Sequence, residues 1–190
     1  MQLAELRGFE TEIYEPAEDS ALLADVAGEQ VPPDALLLDV GTGSGYVAAT
    51  VAEAPGARVI GSDLNPHACR RARAAGIPVI RGNLTHPIRD HTVDVVTFNP
   101  PYLPVDPTDK RDDWFEVALS GGTSGRAVID AFLEDVGRVL ASDGFVLLLV
   151  STLTDPDEVV RVAGSHGFGA VALRDVTYPG ETLTVLKLVR

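Results

Sequence analysis

Little in this chain could cross-link it or hold a metal. Cys69 is the sole cysteine, which excludes an intrachain disulfide. His67, His86, His91 and His166 sit at no metal-ligand spacing, so no metal site is expected in this chain. A reducing, intracellular setting suits that composition, and a cytoplasmic location is the expectation. Long apolar runs are also missing. The longest, Phe145 to Val150, falls far short of the roughly 20 residues that span a bilayer, and the N-terminus shows no basic-then-apolar signal pattern. Lysine is nearly absent: only Lys110 and Lys187 stand among 15 cations, against 28 acids, for a net charge of −13. So acid-rich and lysine-poor a surface resembles proteins of salt-loving archaea, in which concentrated salt screens self-repulsion. It argues against nonspecific binding to phosphate backbones.

What is present is one core's worth of chain. With 190 residues, 45% of them hydrophobic and 23% charged, residues 1–190 are expected to form a single domain. Strand-like and helix-like segments alternate. Leu36–Val40, Arg58–Asp63, Ile77–Arg81, Val93–Phe98 and Phe145–Val150 read as strands. Between and after them, Tyr46–Ala54, Pro66–Ala75, Ser124–Leu140 and Pro156–His166 read as helices, with Asn65 and Asp155 as caps. Apolar strands separated by helices imply a parallel sheet covered on both faces. Two last strands, Ala170–Thr177 and Thr182–Val189, joined by a turn over Tyr178-Pro179-Gly180-Glu181, form an antiparallel hairpin. The fold class is therefore α/β, doubly wound and mostly parallel. In such sheets ligands bind beyond the carboxyl ends of the strands. Pro100 to Gly122, with Pro101, Pro104, Pro107, Trp114 and Phe115, has little periodicity, and loops of that length are usually functional.

Gly41-Thr42-Gly43-Ser44-Gly45 follows the first strand and opens a helix, so a ligand can approach backbone where a Cβ would collide. A dinucleotide fingerprint needs glycine at position 46. Tyr46 stands there instead. GxGxG after Leu38-Asp39-Val40 resembles the first motif of S-adenosylmethionine-dependent class I methyltransferases. That resemblance implies cofactor contacts from Gly41, Gly43 and Gly45, with Asp39 facing the cationic methionine end. Asp63, beside Leu64, ends the second strand where a carboxylate accepts ribose hydroxyls; capping the next helix is its competing role. Asn83 can pair with an adenine edge while Leu84 covers the ring, although a plain turn also accounts for Asn83.

Asn99-Pro100-Pro101-Tyr102 closes the fourth strand. The tetrapeptide could simply stop a ladder, but NPPY resembles the motif of methyltransferases that modify planar NH₂ groups. An amide nitrogen is a poor nucleophile and must be held in line with the methyl–sulfonium bond. The resemblance assigns this clamp to the Asn99 side-chain oxygen and the Pro100 carbonyl, with Pro101 adding rigidity and Tyr102 stacking on the amide. Tyr14-Glu15-Pro16-Ala17-Glu18-Asp19-Ser20 resembles the YEPAEDT segment of the short HemK-like branch, with Ser20 in place of Thr. Gly121-Gly122-Thr123-Ser124-Gly125-Arg126 resembles that family's GGxxGR. Nearly the whole chain, from about residue 12, is covered.

This resemblance implies a seven-stranded Rossmann-like class I fold of strand order 3-2-1-4-5-7-6. It places Glu18, Asp19 and Ser20 at the cofactor entrance. It also implies methylation of the glutamine in the GGQ motif of a class 1 peptide release factor, and a small zinc-ribbon activator protein as partner. The third strand would be a sheet edge, making Ile77, Val79 and Ile80 candidate activator contacts near Ile77–Arg81. Trp114 and Phe115 are candidates for a substrate lid. Methylation of adenine N6 in nucleic acid, methylation of protein lysine, and a noncatalytic cofactor-binding module are the rival readings.

Overall fold

The strands expected from the apolar runs all enter one sheet. The computed structural model describes residues 13, 15–54, 56–103 and 120–190. Tyr14, Pro104, Pro107, Trp114 and Phe115 lie outside the described residues, and so does the substrate-lid expectation. In chain order the elements are α1 (Glu18–Gln30), β1 (Leu36–Val40), α2 (Tyr46–Ala52), β2 (Arg58–Asp63), α3 (Pro66–Ala74), β3 (Val79–Arg81), β4 (Val93–Phe98), α4 (Ala127–Val139), β5 (Leu140–Ser151), α5 (Pro156–Ser165), β6 (Gly169–Tyr178) and β7 (Glu181–Val189). The seven strands run in the order β3-β2-β1-β4-β5-β7-β6. The first five are parallel; β7 is antiparallel to both β5 and β6. This is the doubly wound architecture expected from the pattern.

Strand β5 shows why Phe145–Val150 is an unbroken apolar run. Phe145, Leu147 and Leu149 pack with α1 and α2, while Val146, Leu148 and Val150 pack with α4 and α5. Successive strand side chains point to opposite faces, so a strand covered on both sides needs apolar residues at every position. Phe98 and Phe132 meet in the second layer with ring centroids 4.5 Å apart. Among the described residues no helix is long and apolar enough to cross a membrane.

Several boundaries differ from expectation, and three have a clear physical reason. Helix α4 starts at Ala127, not Ser124, because Gly122 and Gly125 adopt φ of 73° and 71° and cannot belong to a right-handed helix. Strand β5 begins at Leu140 and is interrupted: Val93 faces Leu140 but Val95 faces Phe145, so the intervening residues bulge out of register. Strand β3 spans only Val79–Arg81; Pro78, lacking an N–H, sits just before it.

At that edge the side chains face inward. Ile77 and Val79 are 4% and 9% exposed and pack on Ala48, Cys69 and Ala72, while Ile80 packs partly against the opposite layer. The expectation that Ile77 and Val79 present apolar surface to a partner is therefore corrected: α2 and α3 already cover them. The edge offers backbone rather than side chains.

Candidate active site

Strands β1, β2 and β4 and the loop after β3 end around one cavity of about 260 Å³. Its floor is the glycine loop. Gly41, Gly43 and Gly45 take φ of 63°, 55° and 85°, so the loop turns through left-handed conformations that other residues rarely adopt. Gly41 and Gly43 line the cavity; Gly45 does not. A Cβ on Gly45 would stand 3.2 Å from Ala72, so this glycine lets α2 approach α3 rather than a ligand approach the loop.

The two acids are held differently. Asp39 is 3% exposed and accepts hydrogen bonds from the hydroxyls of Thr42 and Thr97 at 2.7 and 2.8 Å. Burial raises its pKa to about 6, against the lowering effect of those hydroxyls. Asp63 accepts from the backbone N–H of Gly43 at 2.9 Å through one oxygen and from that of Asn65 at 2.8 Å through the other. Its carboxyl is likewise pushed up by burial and drawn back by those donors. Asn65, not Asp63, caps α3, accepting from the His67 N–H at 2.8 Å. With its capping role taken, Asp63 faces the cavity beside Leu64, and each oxygen keeps acceptor capacity for a further donor. Asn83 and Leu84 form the wall beyond β3, where the Leu84 carbonyl accepts from the Ser62 hydroxyl at 3.1 Å.

Beyond β4 the chain continues extended, and alternation decides which side chains reach the site. Asn99 and Pro101 line the cavity, whereas Pro100 and Tyr102 do not. Tyr102 is 5% exposed, packs among the apolar residues of α1 and sets its hydroxyl 3.5 Å from Asp19. The expected stacking of Tyr102 on a bound amide is not this arrangement: the period of two that brings Asn99 to the cavity turns Tyr102 toward the core. Asn99 donates from Nδ2 toward the Ser20 hydroxyl at 3.5 Å. Its Oδ1 is buried without a hydrogen-bond partner among the described residues. Such an orphan acceptor is uncommon in a folded protein, and it belongs to a residue that lines the cavity.

Of the α1 residues expected at the entrance, Ser20 lines the cavity, Asp19 is buried behind it, and Glu18 is exposed away from it. Consecutive helical side chains diverge by about 100°, so one of the three faces the site. Thr42, Thr97 and Val128 were not anticipated. Thr42 and Val128 line the cavity, and Thr97 supports Asp39 from 58 positions away. A hydroxyl between two glycines was the available sign for Thr42. Thr97 and Val128 carried none.

Together the groups suit a ligand with a diol opposite Asp63, a cationic end toward Asp39 and a flat base against Leu84. A family profile described as "Methyltransferase domain" matches residues 38–100. A Methanocaldococcus jannaschii chain assigned as a protein N5-glutamine methyltransferase is 31% identical, covering 94% of this chain and 92% of its own length. Human methyltransferase HEMK2 is 31% identical over 97% of this chain and 92% of its own. In the E. cuniculi Mtq2–Trm112 complex, described as responsible for methylation of the eRF1 translation termination factor, the matching chain superposes with a TM-score of 0.79 at 32% identity, over 95% of this chain and 99% of that one. The chain belongs to the HemK2-type family of protein N5-glutamine methyltransferases.

Proposed function

We propose that this chain methylates the side-chain amide of the GGQ glutamine in a class 1 peptide release factor, with S-adenosylmethionine as donor. One observation carries the reading: the Oδ1 of Asn99, a residue that lines the cavity, is buried with no hydrogen-bond partner among the described residues. The cofactor, when bound, supplies an electrophilic methyl group on a sulfonium. Every other part of the chemistry falls to positioning by the chain.

Ser20 accepts the Asn99 amide N–H, which leaves Oδ1 as the free acceptor for a substrate N–H. The Pro100 carbonyl takes the second N–H, and the prolines on both sides of that peptide limit its motion. Two fixed acceptors set the amide plane before reaction, which is the main contribution an enzyme can make to a weak, planar nucleophile. No base with a near-neutral pKa is required, because the nitrogen's proton becomes acidic only as the N–CH₃ bond forms. In this reading Asp63 takes the ribose hydroxyls, Asp39 faces the ammonium, Gly41 and Gly43 admit the methionine portion, and Asn83 with Leu84 holds the adenine. Tyr102 serves as the buried anchor that fixes the direction of the Asn99–Pro101 strand.

A small zinc-ribbon activator protein is the proposed partner, adding a strand at β3 in the cytoplasm where release factors act. Support comes from the edge position of β3 and from the two-protein composition of the similar complex. The Val79 carbonyl at this edge already accepts from the Arg73 guanidinium at 2.8 Å, so an added strand must displace that bond or pair beyond it.

The test is methyl transfer to a purified release factor, with and without the activator, read by mass spectrometry of the GGQ peptide. A gain of one methyl on the glutamine, absent from a glutamine-substituted factor, is expected. Methylation of adenine in an oligonucleotide, or of lysine in the factor, with the glutamine left unmodified, would replace this reading.

A further inference from the structure

The wall formed by Asn83 and Leu84 is held from outside the site. Leu84 adopts a φ of 48°, a left-handed conformation that costs a branched residue energy and persists only where neighbours over-determine it. On one side its carbonyl is fixed by the fully buried Ser62 hydroxyl. On the other side the His86 N–H closes the turn onto the Asn83 carbonyl at 3.1 Å, and the side-chain support comes from α4. The Thr85 hydroxyl, 0% exposed, donates to Asp135 Oδ2 at 2.7 Å. Arg138 donates from Nη2 to the Thr85 carbonyl at 3.1 Å and from Nη1 to the Ile88 carbonyl at 2.8 Å.

Arg138 is itself braced. It forms a two-point pair with Asp135 at 2.8 and 2.9 Å and reaches Asp90 at 2.5 Å. The guanidinium hydrogen bonds hold the Asp135 carboxyl down to about 2, so the pair stays ionised across the physiological range. One guanidinium therefore ties α4 to both ends of the Thr85–Asp90 segment. None of these side chains lines the cavity.

We propose that Asp135 and Arg138 are positioning residues for cofactor recognition: acting through Thr85, they keep Leu84 left-handed and so hold Asn83 and Leu84 in the geometry that reads the adenine. The inference rests on the S-adenosylmethionine reading of the cavity. Without the brace, Leu84 relaxes toward the right-handed region, and the Asn83 amide no longer stands at one fixed place on the wall.

The test is calorimetric binding of S-adenosylhomocysteine and of its 6-oxo analogue, S-inosylhomocysteine, to the full chain, beside thermal unfolding and turnover. Thr85→Val and Arg138→Met are compared with wild type. Each variant is expected to lose about tenfold in affinity for S-adenosylhomocysteine, the scale of one or two hydrogen bonds. Its preference for the adenine ligand over the 6-oxo analogue should shrink, and kcat at saturating cofactor should hold while KM for the cofactor rises. A folded variant that keeps both wild-type affinity and wild-type base preference overturns the proposal, and so does a fall in unfolding temperature with binding unchanged. If Arg138→Met does not fold, Thr85→Val decides alone, since it exchanges only a hydroxyl for a methyl. A wild-type chain that binds neither ligand overturns the cofactor reading, and the inference with it.

Discussion

The two halves of the cavity are built on opposite plans. On the β1–β2 side the polar groups are already engaged: Asp39 holds two hydroxyls and Asp63 two backbone N–H groups, all between 2.7 and 2.9 Å. On the β4 side Asn99 has one long contact, at 3.5 Å, and an oxygen with no partner among the described residues. Groups satisfied in advance shape a pocket, and their hydrogen bonds offset part of the cost of keeping them buried. An unsatisfied buried acceptor costs stability in the folded protein and recovers that cost when a donor arrives. The first plan suits a ligand received in one fixed pose; the second suits the atom that must be gripped only at reaction. Asymmetric treatment of this kind predicts that the halves fail differently when mutated.

The largest effect is expected on the unsatisfied side. Asn99→Ala removes the acceptor without touching the glycine loop, and turnover should fall by about a thousandfold, the scale seen when one oriented polar group is removed from a reaction site. Affinity for S-adenosylhomocysteine should change only a few-fold by calorimetry. Equal losses in binding and turnover would erase the contrast between the halves and with it the clamp role of Asn99.

Asp63→Asn should act in the opposite sense. An amide can accept through only one atom, so either the Gly43 or the Asn65 tether is lost along with the charge. Cofactor affinity is expected to drop by roughly tenfold to a hundredfold, with kcat recovered at saturating cofactor. Steady-state kinetics that separate KM from kcat check this directly. A fall in kcat that saturation cannot rescue would mean that the β2 side also aligns the reacting groups.

Much of this site could be read from the sequence, and the limits have physical reasons. Strands β1, β2 and β4 have the expected boundaries because each is an apolar run stopped by a residue with its own local job: Gly41, Asp63 as the last strand residue, and Asn99 before Pro100. The α4 start differs from the periodic pattern because Gly125 looks like any residue in that pattern until its φ of 71° is known. The NPPY resemblance sets Tyr102 on the substrate because a motif is read as a unit, whereas alternation along the chain brings Asn99 and Pro101, and not Tyr102, to the cavity. Bonds across long separations left no local trace. Thr97 to Asp39 spans 58 positions, and Thr85 to Asp135 spans 50; only folding brings either pair together.

The smallest expected effect is also the one that tests whether the β1 side is as settled as its hydrogen bonds suggest. Asp39 has a folded pKa of about 6 against an ordinary 3.8, so its contribution to stability is fully present below about pH 4 and is lost as pH rises through 6. A cationic ligand end reverses the preference, because it favours the ionised carboxylate. Binding of S-adenosylhomocysteine should therefore strengthen as pH rises through about 6, with a fraction of a proton released per ligand near that pH. Calorimetry in buffers of different ionisation enthalpy measures that release. Thr97→Val removes a hydroxyl that favours the charged form, and should move the midpoint upward by about one unit. Asp39→Asn should abolish both the release and this pH dependence. If the asparagine variant keeps the wild-type profile, the titrating group lies elsewhere, and Asp39 is only a buried brace for the Thr42 and Thr97 hydroxyls.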